Sequence, residues 1–140
     1  MRSEGKPLSA NKRSLRGVKG MLIERGHLFF VFLDPVFGKE IGGYKTRPVV
    51  VISINDISAK QLPVLVVPGT SADGKPAHFK NVVRVEPTRE NGLKNPTLFQ
   101  CHQVRALDQG RFTAAPIGRL SPKDLRAIEE AVKYVLGSPP

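Results

Sequence analysis

Few side chains in this sequence are candidates for chemistry. The chain has 140 residues and one cysteine, Cys101, so neither an intrachain disulfide nor a four-thiolate zinc site can form. Its three histidines, His27, His78 and His102, are scattered without metal-ligand spacing. There is no Walker loop and no dinucleotide fingerprint. An imidazole titrates near about pH 6.5, which suits proton transfer near neutrality. Two other places stand out. Arg47 opens the run Arg-Pro-Val-Val-Val, and Thr70-Ser71 follows Val-Pro-Gly. A guanidinium grips phosphate oxygens at two points, and a hydroxyl donates to the same oxygens. Taken alone, Arg47 also reads as a surface charge beside a strand start, and Thr70 as a turn residue.

The charge balance narrows the partner. Lys and Arg number 22 against 12 Asp and Glu, a net charge of +10 and a pI of about 10.2. Such a surface attracts polyanions. Residues 1–26 carry seven basic side chains against Glu4 and Glu24, half of the net charge. Residues 1–20 have few large apolar side chains and are expected to form a flexible basic arm. That arm is a solvated tail, a stretch upstream of a true start at Met21, or an electrostatic tether for nucleic acid. The longest apolar run, Leu28–Leu33, is far shorter than the roughly 20 residues that span a bilayer. No secretory signal is evident, and the cytoplasm is the expected compartment.

The elements that must position these groups are mostly strands. His27–Leu33, Arg47–Ile54, Leu62–Val67, Val82–Val85 and Thr97–Arg105 are rich in β-branched and aromatic residues. Pro68-Gly69 is expected to end the third strand. Val36–Thr46, with three glycines, Ser71–Lys80 and Thr88–Asn95 read as loops, and Asn55–Gln61 as a polar connection. Leu107–Phe112 reads as a turn or one helical turn. A closing helix is clearest. Ser121 caps it, Pro122 fits its first position, and Gly137 fits its end. Leu125, Ile128, Ala131, Val132, Val135 and Leu136 give it one apolar face. About five short strands and a terminal helix point to a small barrel or sandwich. The expected layout is an arm over 1–20, a barrel domain over 21–137 and a tail over 138–140.

The order of short motifs adds a resemblance. Arg25-Gly26 enters a strand, followed by Leu33-Asp34-Pro35, Gly38, Glu40, Gly43 and Arg47-Pro48-Val49-Val50-Val51. Then come Val67-Pro68-Gly69-Thr70-Ser71, Gln103-Val104-Arg105-Ala106-Leu107-Asp108 and Gly118-Arg119-Leu120. From Glu24 to Leu136 this resembles the MazF/PemK toxins of bacterial toxin–antitoxin pairs. The resemblance implies an SH3-like β-barrel with a C-terminal helix, a homodimer, and a metal-independent endoribonuclease that cuts single-stranded RNA without a cofactor. It implies an antitoxin whose acidic, flexible segment covers the RNA groove. By position, it places catalytic roles on Arg47 and Thr70, with Ser71 beside them.

The chain departs from the family's carboxylate-based pattern. Where an Asp usually precedes the Gln of Gln-x-Arg, this chain has His102. Gln100 stands where some members have an Arg, and Lys39 where a His often follows the first loop's glycine. The first loop also has two extra residues between Glu40 and Arg47. His102 is therefore a candidate for the missing proton-transfer role; the alternative is a hydrogen-bonded structural histidine. His27 and His78 are weaker candidates.

Lys39, Glu40, Gln103 and Arg105 are candidates for substrate binding. Gln103 and Arg105 suit base edges or phosphates, and equally suit bracing the barrel; Glu40 suits ordering its own loop. Phe37, Tyr44 and Phe79 suit stacking on unpaired bases or packing loops. Cys101 is expected to be a buried small hydrophobe. Two alternatives share the fold: a CcdB-like protein that binds DNA gyrase, and an RNA binder that has lost cleavage.

Overall fold

The computed structural model describes residues 22–74 and 79–139. The expected basic arm over 1–20 and His78 lie outside the described residues. Seven strands and two α-helices follow in order: β1 (His27–Val31), β2 (Arg47–Val51), α1 (Asn55–Ala59), β3 (Val64–Ser71), β4 (Val82–Val85), β5 (Thr97–Gln100), β6 (Arg105–Leu107), β7 (Gly118–Arg119) and α2 (Pro122–Val135). The strands form one curled antiparallel sheet in the order β4-β5-β3-β2-β1-β7, with β6 also on β3. This mainly β, half-barrel sheet with a C-terminal helix agrees with the SH3-like barrel and helix that the resemblance implies.

Strand alternation builds a core on each face of the sheet. Phe29, Val31, Val49, Val51, Val64 and Val66 pack with Leu33, Leu107 and Phe112 on one face. Leu28, Val50, Val67 and Phe99 pack on the other with Leu120, Ile128 and Ala131. Burial on both faces explains why β1, β2 and β3 read as continuous apolar runs. The ring of Phe29 meets that of Phe112 edge-on, with centroids 4.9 Å apart.

The structure corrects several expected boundaries. Pro68-Gly69 does not end the third strand. β3 pairs with β6 through Val64–Val66, and then with β5 through Gly69–Ser71. Pro68, which has no N–H, stands at that handover. The expected strand Thr97–Arg105 is broken by a 3-10 turn at Cys101–Gln103, which leads from β5 to β6. The polar connection contains the short helix α1. Its Ser58 is buried and donates to Ile23 O, and Ser58 O accepts from Gln109 Nε2 at 3.0 Å. β7 has two residues and was not foreseen.

At α2, Ser121 Oγ accepts from Asp124 N at 3.1 Å and Pro122 opens the helix. Gly137, at φ +82°, follows its end in the left-handed region. Ile128 and Ala131 are buried, and Leu125 and Val132 pack partly against the same core. Val135 and Leu136 do not complete that face; they are exposed.

Candidate active site

Arg47 is the first residue of β2 and lies opposite Val31 of β1. β2 and β3 pair with Val49 opposite Pro68. Continuing that register brings Arg47 opposite Thr70. The two residues line one cleft of about 260 Å³ together with Lys45 and Lys94, and no lining residue is acidic. Leu93, Lys94 and Asn95 form part of its wall, and Phe30 and Pro48 contribute from β1 and β2.

The local contacts leave the reactive edges available. Arg47 Nε donates to Gly42 O at 3.0 Å, which directs the guanidinium and leaves its two Nη groups for a ligand. Thr70 Oγ1 accepts from Gln100 Nε2 at a long 3.4 Å, so its own proton is available to donate. Gln100, Lys45 and Lys94 belong to this site although sequence reasoning did not select them. Gln100 had a signal, its place two residues before His102. Lys94 had none, since only the folded turn brings it to β2. Ser71 also lines this cleft, and its hydroxyl donates to Asp73 Oδ1 at 2.9 Å.

A second cavity, about 540 Å³, is lined by Lys39, Glu40, Ile41, Pro68, His102, Gln103, Val104 and Arg105. It therefore gathers His102 with all the other expected binding residues except Ser71, but not with Arg47 and Thr70. Pro68 lines this cavity and its chain neighbours Gly69 and Thr70 line the first, so the two hollows adjoin along β3. His102 is exposed in the 3-10 turn, its Nδ1 2.7 Å from Asn81 Nδ2. An amide nitrogen only donates, so Nδ1 accepts and the ring proton sits on Nε2. Turning the Asn81 amide over would present its oxygen to Nδ1–H and leave Nε2 unprotonated as a base.

The first loop, residues 32–46, is fastened closely. Glu40 Oε1 accepts from Phe37 N at 2.9 Å, closing its own turn. Gln103 Oε1 accepts from Ile41 N at 2.7 Å, while its Nε2 donates to Lys39 O at 3.1 Å. Asp34 Oδ1 accepts from Gly43 N at 2.9 Å. Arg105 Nη1 donates to Leu33 O at 3.1 Å, and Arg111 Nη1 to Asp34 O at 2.9 Å. The aromatic rings of Phe37 and Tyr44 stay exposed on this loop, and Phe79 is exposed elsewhere.

Cys101 is fully buried, and burial pushes its thiol up to about 12. His27 lies outside both cavities. Its Nε2 is 2.8 Å from Arg119 Nη2, while its buried Nδ1 has no partner. Burial lowers its pKa, as does the Arg119 charge, against a smaller opposing effect of Glu24. Among the described residues no group of three His, Cys, Asp or Glu side chains gathers at a metal-binding distance, and no helix is long and apolar enough to cross a membrane.

Comparison with known proteins places this geometry. Residues 24–136 match the model of the "PemK-like, MazF-like toxin of type II toxin-antitoxin system". Endoribonuclease EndoA of Bacillus subtilis is 31% identical over 116 residues, covering 83% of this chain and 96% of its own. A crystal structure of MazF from Deinococcus radiodurans superposes with a TM-score of 0.69 at 21% identity, covering 84% of this chain and 98% of that one. An endoribonuclease in complex with its cognate antitoxin, from a Mycobacterial species, superposes at 0.64 and 19% identity, covering 83% and 96%.

Proposed function

The chain belongs to the PemK-like, MazF-like toxins of type II toxin–antitoxin systems, and from that premise we propose that it is a sequence-specific endoribonuclease of single-stranded RNA, held in check by a cognate antitoxin. The observation that carries the reading is the cleft in which Arg47 and Thr70 meet beside Lys45 and Lys94 with no lining carboxylate. A cleft of that charge favours a phosphate. The names of the relatives favour RNA cleavage over a gyrase-binding role.

The reaction needs no group beyond RNA and protein. The 2′-hydroxyl oxygen attacks the adjacent phosphorus, a 2′-O–P bond forms and the P–5′-O bond breaks. The products are a 2′,3′-cyclic phosphate and a 5′-hydroxyl end. Charge develops on the phosphorane oxygens, and fixed donors there lower the barrier. Arg47 meets those oxygens through its two Nη groups, and Thr70 donates its hydroxyl proton. A guanidinium, with a pKa above about 12, is better suited to holding this charge than to giving up its proton.

The nucleotide bearing the attacking 2′-hydroxyl is set at the second cavity, where His102 takes that proton as the base when its Nδ1–H is held by the Asn81 oxygen, and the leaving 5′-oxygen takes a proton from water. RNA that extends past Pro68 brings this nucleotide to the second cavity, where Lys39 and Arg105 provide positive charge. Lys39, Glu40 and Arg105 then bear on which nucleotide is accepted there, and Gln103 holds the loop backbone that carries Lys39. The family resemblance implies a homodimer, and this chain is proposed to act as one in the cytoplasm.

The test is cleavage of a labelled single-stranded RNA by the purified protein in EDTA. Fragments with 5′-hydroxyl ends that vanish in Arg47→Ala support the reading. Tight binding without cleavage by the unaltered protein would refute it. His102→Asn, assayed across pH, separates proton transfer from structure; a wild-type rate and pH profile would remove the role from His102.

A further inference from the structure

Three successive residues of the first loop are each held by a different side chain. Gln103 Oε1 accepts from Ile41 N at 2.7 Å, Arg47 Nε donates to Gly42 O at 3.0 Å, and Asp34 Oδ1 accepts from Gly43 N at 2.9 Å. Gly42 has no slack. A Cβ there would press on Val36 and lie 2.6 Å from Asp34 Oδ1. The carbonyl that directs Arg47 therefore belongs to a strip of backbone held on one side from outside the loop, by Gln103, and on the other by Asp34 of the loop itself. Gln103 uses both ends of its amide on it, since Nε2 also donates to Lys39 O at 3.1 Å.

We infer that Gln103 is a positioning residue for Arg47: its amide fixes Lys39–Ile41, this fixes the Gly42 carbonyl, and that carbonyl aims the guanidinium into the cleft. The assignment differs from base reading. With donor and acceptor both spent on backbone, the Gln103 amide keeps only the second hydrogen of Nε2 and the second lone pair of Oε1. A side chain committed in this way acts on the reaction through Arg47. The kinetic form of this inference rests on the endoribonuclease reading; its structural form does not.

Gln103→Glu tests it within a single protein. The introduced carboxylate, when ionised, still accepts from Ile41 N but sets a second oxygen against Lys39 O. Once protonated, it restores both bonds, with its O–H donating to Lys39 O. Lys39, Arg105 and a protonated His102, which line the same cavity, favour the ionised form, and Glu40 opposes it. His102 lines the same cavity and also faces the introduced carboxyl, so Arg47 Nε–H exchange, which does not depend on His102, is compared in the two proteins across the same pH range.

At about pH 7.5 the variant is expected to lose roughly 10- to 100-fold in kcat, with KM changed less than about twofold. The ratio to wild type should climb as pH falls toward the usual carboxyl range near about 4.3. A ratio that stays flat with pH, a loss carried by KM, or wild-type kcat at neutral pH would each overturn the assignment.

The second readout does not use RNA. The Arg47 Nε–H resonance, assigned by its disappearance in Arg47→Lys, should exchange faster with solvent in Gln103→Ala than in wild type. Unchanged exchange in a variant whose other amide resonances stay native would overturn the inference. If the wild-type protein leaves RNA intact while Nε–H responds, the functional reading fails and the positioning of Arg47 stands.

Discussion

Replacing Asn91 by alanine should unsettle the wall of the Arg47 cleft without touching it. Asn91 is 1% exposed. Its Oδ1 accepts from Thr88 N at 3.0 Å and Leu93 N at 2.9 Å, and its Nδ2 donates to Glu86 O at 2.9 Å. Thr88 Oγ1 accepts in return from Asn91 N at 3.0 Å. Three side-chain bonds at about 1 kcal/mol each vanish together, and the buried Leu93 N–H is left unpaired at a further cost of about 1 kcal/mol or more. The loss is about 4 kcal/mol, a large part of the roughly 5–15 kcal/mol that holds a small domain folded. With a urea dependence of about 2 kcal/mol per molar, the unfolding midpoint should fall by about 2 M. Equilibrium urea denaturation followed by far-ultraviolet circular dichroism measures it. Because Leu93–Asn95 line the cleft, RNA cleavage should also fall while the variant is still folded. A midpoint displaced by less than about 0.3 M would refute the reasoning, since the turn would then stand without these bonds.

Two further predictions concern titratable groups that burial perturbs. The folded state resists protonating His27 below its ordinary value of 6.5, while the unfolded chain does not. The unfolded state therefore binds more protons in the window below 6.5, and His27's contribution to stability, complete above that value, is lost as pH falls through the folded-state pKa. In His27→Gln that portion of the acid sensitivity should disappear, so the gap between the two urea midpoints should change between neutral and mildly acidic solution. Equal pH dependence in both proteins would count against it. Cys101, buried and with its thiol pushed up to about 12, should resist iodoacetamide in native protein at mildly alkaline pH and react quickly in denaturant. Mass spectrometry reads the difference, and prompt native labelling would contradict the burial.

The sequence revealed what local chemistry dictates. The Ser121–Pro122 start and Gly137 stop of α2 are short-range signals, and each is where its residue types place it. The apolar runs of β1 and β2 were legible because both faces are buried. β3 was cut short because Pro68-Gly69 looks like an ending from within the chain. It continues because new partners, first β6 and then β5, arrive from far along the sequence. α1 was missed because five residues are too few to show a helical period. The site divides in the same way. Arg47 and Thr70 were legible through a resemblance of short motifs, whereas Lys94 joins them only through strand pairing and a folded turn. Gln103 reads equally as an RNA contact or a brace in the sequence; that both ends of its amide meet backbone of the first loop is visible only in the fold.

The ends of the sheet set a rule for assembly. The strands left with a free edge among the described residues are β4, β6 and β7, with four, three and two residues. A visiting strand would find almost no ladder of N–H and C=O groups to read. Strand addition is thereby discouraged, both for runaway self-association and for a partner segment that would dock by extending the sheet. Among the described residues the short edges favour recognition by side chains, which can be specific to one partner where a bare backbone ladder would accept many.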